Sequence, residues 1–214
     1  MISVTQIIDT FPEKELTEWK IRVGKAKSEA VSQEALAIGS LVDKAIQKEI
    51  KSGKRELELK GSTEAITQAV QTCLQGWQIF KQQHPEFVPT ITRIQYELTY
   101  EDLMGHPDFE REEKGWGFDD LKCASQIRPS HWTQVAGYAW LKQMQFKLGP
   151  PAWLGILRLD KVSGQPEYVQ LTEPKEIQYE IEVWNHYRAL YGHRERVAER
   201  NRILKEEEAM NHVS

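Results

Sequence analysis

Three side chains in the stretch GHPDFEREEKGWGFDDLKCAS are of types and spacing that suit hydrolytic chemistry: Asp108, Asp120 and Lys122. Residues 104–110 and 116–122 each read as a short strand, and the charged, glycine-ended REEKG between them suits a hairpin connection. An antiparallel pairing that turns near Lys114 sets Asp108 opposite Asp120. Directly opposed side chains have Cβ atoms about 5 Å apart, and like charges so placed repel. Period two sends Asp120 and Lys122 to one face of the second strand and Asp119 to the other. Asp108, Asp120 and Lys122 therefore converge, with Asp119 the weaker candidate. Two converging carboxylates suit a hard divalent cation such as Mg²⁺ or Mn²⁺, which prefers oxygen ligands and keeps waters for exchange. A neighbouring ammonium can orient and acidify an attacking water. The competing interpretation is a surface Asp–Lys hairpin with weak ion pairs, and the register argues against it.

These residues need a frame. From about Glu29 to Lys51, Val31, Leu36, Ile38, Leu41, Val42, Ala45, Ile46 and Ile50 recur at helical spacing. A second helix is expected over Ser62 to about Gln83, with Ser62 as N-cap and Ile66, Ala69, Val70, Cys73, Leu74, Trp77 and Phe80 as its apolar stripe. In TITRIQYELTY the pattern changes to period two, which predicts one half-buried strand with Ile94, Tyr96, Leu98 and Tyr100 on one face. Beyond the hairpin, Pro129 to about Phe146 reads as a helix, Trp153–Leu159 and Glu167–Leu171 as strands, and Pro174 to about Glu208 as a long charged helix. The expected class is α/β with a central, largely antiparallel sheet flanked by helices, and no linker or repeat divides residues 1–214 into more than one domain.

Composition narrows the classes of function. With 28 Lys and Arg against 32 Asp and Glu, the net charge of −4 excludes a polybasic nucleic-acid coat. The opening residues lack both a basic n-region and a long apolar run, so neither secretion nor a membrane span is expected. Two cysteines cannot supply a four-cysteine zinc or iron–sulfur site, and a reducing cytoplasm suits them. The six histidines lack paired metal spacing, although His106 and His131 flank the acidic motif. Arg128 is placed to hold a phosphate. The late run RALYGHRERVAERNR has a basic excess that suits a DNA backbone, or is simply a solvated helix face. Trp116 and Trp132 lie nearest the motif, while the tryptophans as a group are read as core.

At this point the residues resemble the PD-(D/E)XK nuclease superfamily, in particular its RecB-type and phage-type exonucleases. The match reads Pro107-Asp108, then Asp120-Leu121-Lys122, followed by Gln134-Val135-Ala136-Gly137-Tyr138, similar to the family's Q-x-x-x-Y element. Gln134 and Tyr138 are one helical turn apart and share a face. The segment SVTQIIDTFPEKELTEWKIRVG is also similar to the opening of phage and bacterial exonucleases of this type, so the resemblance spans roughly residues 3–172 in the family's order. It implies a restriction-endonuclease-like core. Where RecB-like members carry G-x-x-x-H with a metal-binding histidine, this chain has Gly39-Ser40-Leu41-Val42-Asp43, so Asp43 takes the histidine's place. Asp43 shares a helical stripe with Leu36, Gly39, Ile46 and Ile50, where an unpaired carboxylate is costly unless a metal or a hydrogen-bond partner satisfies it. Glu97 resembles the family's upstream glutamate, which holds water or a second metal.

The resemblance implies a metal-dependent deoxyribonuclease, an exonuclease of phage or bacterial recombination and repair, working in the cytoplasm of a bacterial or phage-infected cell. Asp108, Asp120 and the Leu121 carbonyl, with Asp43 and Glu97, are the implied ligands of Mg²⁺ or Mn²⁺. Lys122 is the implied catalytic ammonium, Gln134 and Tyr138 its helix partners, and Arg128, His131, Gln134 and Tyr138 the candidate DNA contacts. DNA is the expected partner. A homo-oligomer or a single-strand annealing protein is suggested only by analogy with phage recombination systems. The competing readings are a catalytically inactive nuclease-fold scaffold and a restriction-type endonuclease.

Overall fold

A computed structural model describes residues 1–54 and 59–211, with side chains to residue 206. The segment WLGILRL is apolar almost throughout, as a strand covered on both faces must be. It forms β7 (Trp153–Leu159), which lies parallel to β6 (Trp116–Lys122) from Gly117↔Trp153 to Lys122↔Arg158. Parallel neighbours need a crossover, and helix α5 (Pro129–Phe146) supplies it. β5 (Phe109–Glu112) and β2 (Ile91–Ile94) extend the sheet antiparallel on one side, and β8 (Pro166–Leu171) does so on the other, giving the order β2-β5-β6-β7-β8. A smaller sheet, β1 (Ile2–Ser3), β4 (Leu103–Gly105) and β3 (Leu98–Tyr100), has the order β1-β4-β3. The class is mixed α/β with largely antiparallel sheets flanked by helices.

Two apolar layers hold the five-stranded sheet. On one face, Phe118 and Leu154 pack with Val135, Ala139 and Leu141 of α5, Val4 and Ile7 of α1 (Val4–Asp9), and Ile177, Ile181 and Trp184 of α6 (Pro174–Asn211). Gly137 makes that layer possible, because a Cβ there would stand 2.8 Å from Val4 Cγ1 and 3.1 Å from Trp184. On the other face, Phe109, Leu121, Leu157 and Leu159 meet Ile38, Val42 and Ile46 of α3 (Lys25–Ser52) and Val70, Cys73, Trp77 and Phe80 of α4 (Glu64–Gln83). Helix α2 (Lys14–Val23) buries no residue. Among the described residues no helix is long and apolar enough to cross a membrane.

Several expectations need correction. The strand expected through residues 93–100 is broken at Gln95, whose φ of +46° is left-handed. Its two parts, β2 and β3, join different sheets. The strand expected over 104–110 is likewise divided into β4 and β5, around His106 and Pro107, the latter unable to donate a ladder hydrogen bond. Thr63, rather than Ser62, caps α4, accepting from Ile66 N–H at 3.3 Å. Leu36, expected on the packed stripe of α3, is 75% exposed, because the first half of that helix extends beyond the sheet.

Candidate active site

The β5–β6 ladder pairs Phe109 with Asp119 and ends there. One step further, in the register expected from sequence, Asp108 and Asp120 face each other at the open end. Leu121 N–H, deprived of a strand partner, donates to Asp108 Oδ2 at 2.7 Å. A strand residue's N–H and C=O point to the same side, so the Leu121 carbonyl also faces this edge. Gln95 stands across the gap. Its backbone N–H donates to the Pro107 carbonyl at 3.1 Å, and its side-chain amide donates to Asp108 Oδ1. The left-handed turn at Gln95 is therefore what brings a neutral donor onto the first carboxylate.

Asp120 is 2% exposed and its Oδ2 lies 2.5 Å from Lys122 Nζ. The two are close as an ion pair but not aligned as a hydrogen bond, so the same Oδ2 has no hydrogen-bond partner. Lys122 Nζ instead donates to Gln134 Oε1 at 3.0 Å, and Gln134 Nε2 donates to Tyr138 Oη at 2.7 Å. Tyr138 is seated because position 105 is glycine; a Cβ there would come within 2.7 Å of its ring. The chain Asp120, Lys122, Gln134, Tyr138 thus runs from β6 onto α5. Asp43 approaches from α3. Its Oδ2 accepts from Gln47 Nε2 at 2.6 Å, while its buried Oδ1 has no partner.

Charge in this cluster is poorly balanced. Burial raises the pKa of Asp108, and the neighbouring Asp120 and Asp43 raise it further. Burial also raises Asp120, against the pull of Lys122. Asp43 is raised by burial and by Asp120, with the Gln47 hydrogen bond opposing. Burial works against the Lys122 ammonium, but Asp120 and Asp108 outweigh it and hold its pKa above normal. Three carboxylates against one lysine is the donor chemistry a divalent cation would relieve, and the partnerless oxygens of Asp43 and Asp120 fit one. Among the described residues no three His, Cys, Asp or Glu side chains stand ready as a cation cage. That excludes a zinc-type cage but not magnesium, which takes one or two carboxylates and completes its shell with water and phosphate.

Other candidates are placed differently. Glu97 is exposed, with His106 Nε2 3.7 Å away, and has no contact with the aspartates that would make it a ligand. Tyr138 is buried and its hydroxyl is engaged by Gln134, which suits support of Lys122 better than contact with DNA. Arg128 and His131 line a cavity of about 800 Å³ with Trp19, Cys123 and Lys161. His131 Nδ1 accepts from Arg128 N–H at 3.2 Å; burial, with Lys122 and Arg128 nearby, lowers its pKa to about 3. In the late basic run, Arg188 stacks on Trp140 at 4.2 Å and Arg202 pairs with Glu199 at 2.7 Å. Trp116 lies beneath Lys142 Nζ at 4.4 Å, and Lys142 pairs with Glu110 at 2.7 Å in a buried network away from the carboxylates. Asp119 takes the opposite face, bound by Arg111, Tyr168 and Trp153 at 2.8, 2.7 and 3.3 Å.

Sequence reasoning missed Gln95, Gln47 and Glu13. Glu13 Oε1 accepts from Ser130 N–H at 2.9 Å, placing a carboxylate on the positive end of α5. The proline-flanked break before Phe109 was the one available signal for Gln95, and the i,i+4 spacing from Asp43 the one for Gln47.

No family model matches the chain, and no curated protein matches its sequence. Among solved structures it is similar to the alkaline exonuclease LHK-Exo from Laribacter hongkongensis, at 12% identity over 93% of this chain and 93% of that chain, with a TM-score of 0.38. The same enzyme in complex with dAMP gives 11% identity over 93% of each chain and a TM-score of 0.38. A third structure, SSO0001, gives 14% identity over 72% of this chain and 74% of that chain, with a TM-score of 0.33. Likeness at this level assigns neither family nor activity.

Proposed function

We propose that the protein is a divalent-metal-dependent deoxyribonuclease that hydrolyses phosphodiester bonds, acting as an exonuclease in phage or bacterial recombination and repair. The observation that carries the hydrolytic reading is the meeting of Asp108, Asp120 and Lys122 at the open end of the β5–β6 ladder, with Lys122 held by Gln134. The exonuclease branch rests on the resemblance of Gln134 and Tyr138 to the Q-x-x-x-Y element.

Asp108, Asp120 and the Leu121 carbonyl, with Asp43 at the margin, would hold Mg²⁺ or Mn²⁺, which when bound neutralises phosphate charge and acidifies water. Lys122 donates toward the attacking water or a phosphate oxygen, and its raised pKa keeps that donor charged through the neutral range. Asp120 draws the ammonium toward the scissile bond while Gln134 fixes its other side. Tyr138 prevents Gln134 from turning away. Arg128 and Lys161 line the adjoining cavity and supply positive charge for a DNA strand.

The test is digestion of end-labelled linear DNA beside a closed circle, with Mg²⁺, Mn²⁺ or EDTA, using wild type and Asp120→Ala. Metal-dependent loss of the linear substrate alone, absent in the variant, is expected. Cutting of the circle would replace the exonuclease by an endonuclease, and binding without cleavage under every condition would replace it by a scaffold.

A further inference from the structure

The chain has two cysteines, and the fold brings them together. Cys73, on α4, is wholly buried, with its Sγ 3.7 Å from the Leu159 carbonyl. Cys123 is the first residue after β6, and its thiol hydrogen-bonds to that of Cys73. Cys123 is only half-buried and lines the cavity of about 800 Å³ that also contains Arg128 and His131. One thiol of the pair is therefore open to a small solute, and the other waits behind it in the core.

A buried cysteine that serves only as a small apolar filler has no need of a second thiol. Here the pair spans helix α4 and the residue directly after Lys122, two elements otherwise joined through apolar packing. We propose that Cys73 and Cys123 are a reversible disulfide site, with Cys123 the attacking thiol, Cys73 the resolving thiol and a peroxide the oxidant.

In the first step Cys123 Sγ attacks the peroxide. An S–O bond forms, the O–O bond breaks and one water leaves, so that the sulfur is oxidised to a sulfenic acid and the peroxide is reduced. In the second step Cys73 Sγ attacks that sulfur. An S–S bond forms, the S–O bond breaks, and the hydroxyl departs as water with the Cys73 proton. The sum is two thiols and one hydrogen peroxide giving one disulfide and two waters. Closing the bond draws the residue beside Lys122 toward α4. The bond itself is independent of the nuclease reading, whereas any effect on cleavage rests on it.

The experiment treats the full chain with hydrogen peroxide, quenches it, and measures intact mass and non-reduced peptides. A loss of about 2 Da per chain, a peptide linking Cys73 to Cys123, and reversal by dithiothreitol are expected. Cys73→Ser should instead retain a sulfenic acid at Cys123 that dimedone traps, and Cys123→Ser should not react. Two intact thiols after treatment, sulfinic acid at Cys123 without a linked peptide, or disulfides only between chains would each overturn the proposal. The wild-type measurement decides even if a variant fails to fold. In the same samples, DNA cleavage should fall on oxidation and recover on reduction in wild type. A linked peptide in a protein that never cleaves DNA would remove the nuclease reading and leave the modification standing.

Discussion

Gln134 Oε1 accepts a hydrogen bond from Lys122 Nζ at 3.0 Å, across the boundary between helix α5 and strand β6. The position of the ammonium is thus set by a helix residue that is itself fixed by Tyr138 one turn further on. Gln134→Ala should lower kcat by about 10- to 100-fold, or ~1.4–2.7 kcal/mol, with KM little changed. Tyr138→Phe should cost less, since Gln134 keeps its bond to Lys122. Steady-state kinetics on a linear substrate separate these outcomes, and a Gln134→Ala enzyme equal to wild type would remove the positioning role.

The carboxylate cluster should make stability respond to metal. Asp108, Asp120 and Asp43 all have pKa values raised in the folded state, so folding favours their protonated forms. The sign follows: their penalty is absent below the unfolded carboxylate pKa, grows as pH rises, and is complete above the folded values. In EDTA near neutral pH, Asp108→Asn should therefore melt higher than wild type. Mg²⁺ should raise the wild-type midpoint, by about 2.7 kcal/mol at one hundred times Kd, and leave the variant unmoved. Equal responses of the two proteins to Mg²⁺ would count against Asp108 as a ligand.

His131 should set an acid limit. Its folded pKa of about 3 lies below the ordinary value of 6.5, because burial and the nearby Lys122 and Arg128 disfavour the charged ring. The unfolded chain then binds the extra proton first, so this group's contribution is complete above about pH 6.5 and declines as pH falls toward 3. His131→Asn keeps an acceptor for Arg128 N–H but does not titrate. Chemical denaturation of both proteins across that range should show a shallower acid decline in the variant, and parallel curves would contradict the assignment.

On the other face, Asp119 and Arg111 form a pair that is 0% and 3% exposed as residues. Asp119→Ala strands a buried guanidinium and should destabilise by about 3–5 kcal/mol. Gly155→Ala should act at the same place, because its Cβ would overlap Asp119 Oδ1. Neither change should abolish the Mg²⁺ response in protein that remains folded. Loss of that response in folded Asp119→Ala would make Asp119 part of the metal site.

Local pattern was enough for the helices over 129–146 and 174–208 and for the strand over 153–159, since each has one period and a proline or turn at its edge. The same period-two rule, with the turn near Lys114, was enough for the register that opposes Asp108 to Asp120 and for the division of Asp119 from Asp120. Helical spacing alone also marked Gln134 and Tyr138 as a pair, which the structure joins by a hydrogen bond.

What alternation could not express was where a strand leaves its sheet. Ile94, Tyr96, Leu98 and Tyr100 alternate without interruption, yet Gln95 adopts a left-handed conformation and the two halves pair in different sheets. That choice depends on Pro107 and Asp108, which accept the Gln95 hydrogen bonds from more than ten residues away. Glu97 followed the alternation on paper and went to solvent for this reason. The contacts of Asp43 with Gln47 and the acidic pair, of Glu13 with α5, and of Cys73 with Cys123 likewise join separate elements. Periodicity reports the environment along one element, whereas these meetings are decided by how α3, α4 and β6 pack against one another.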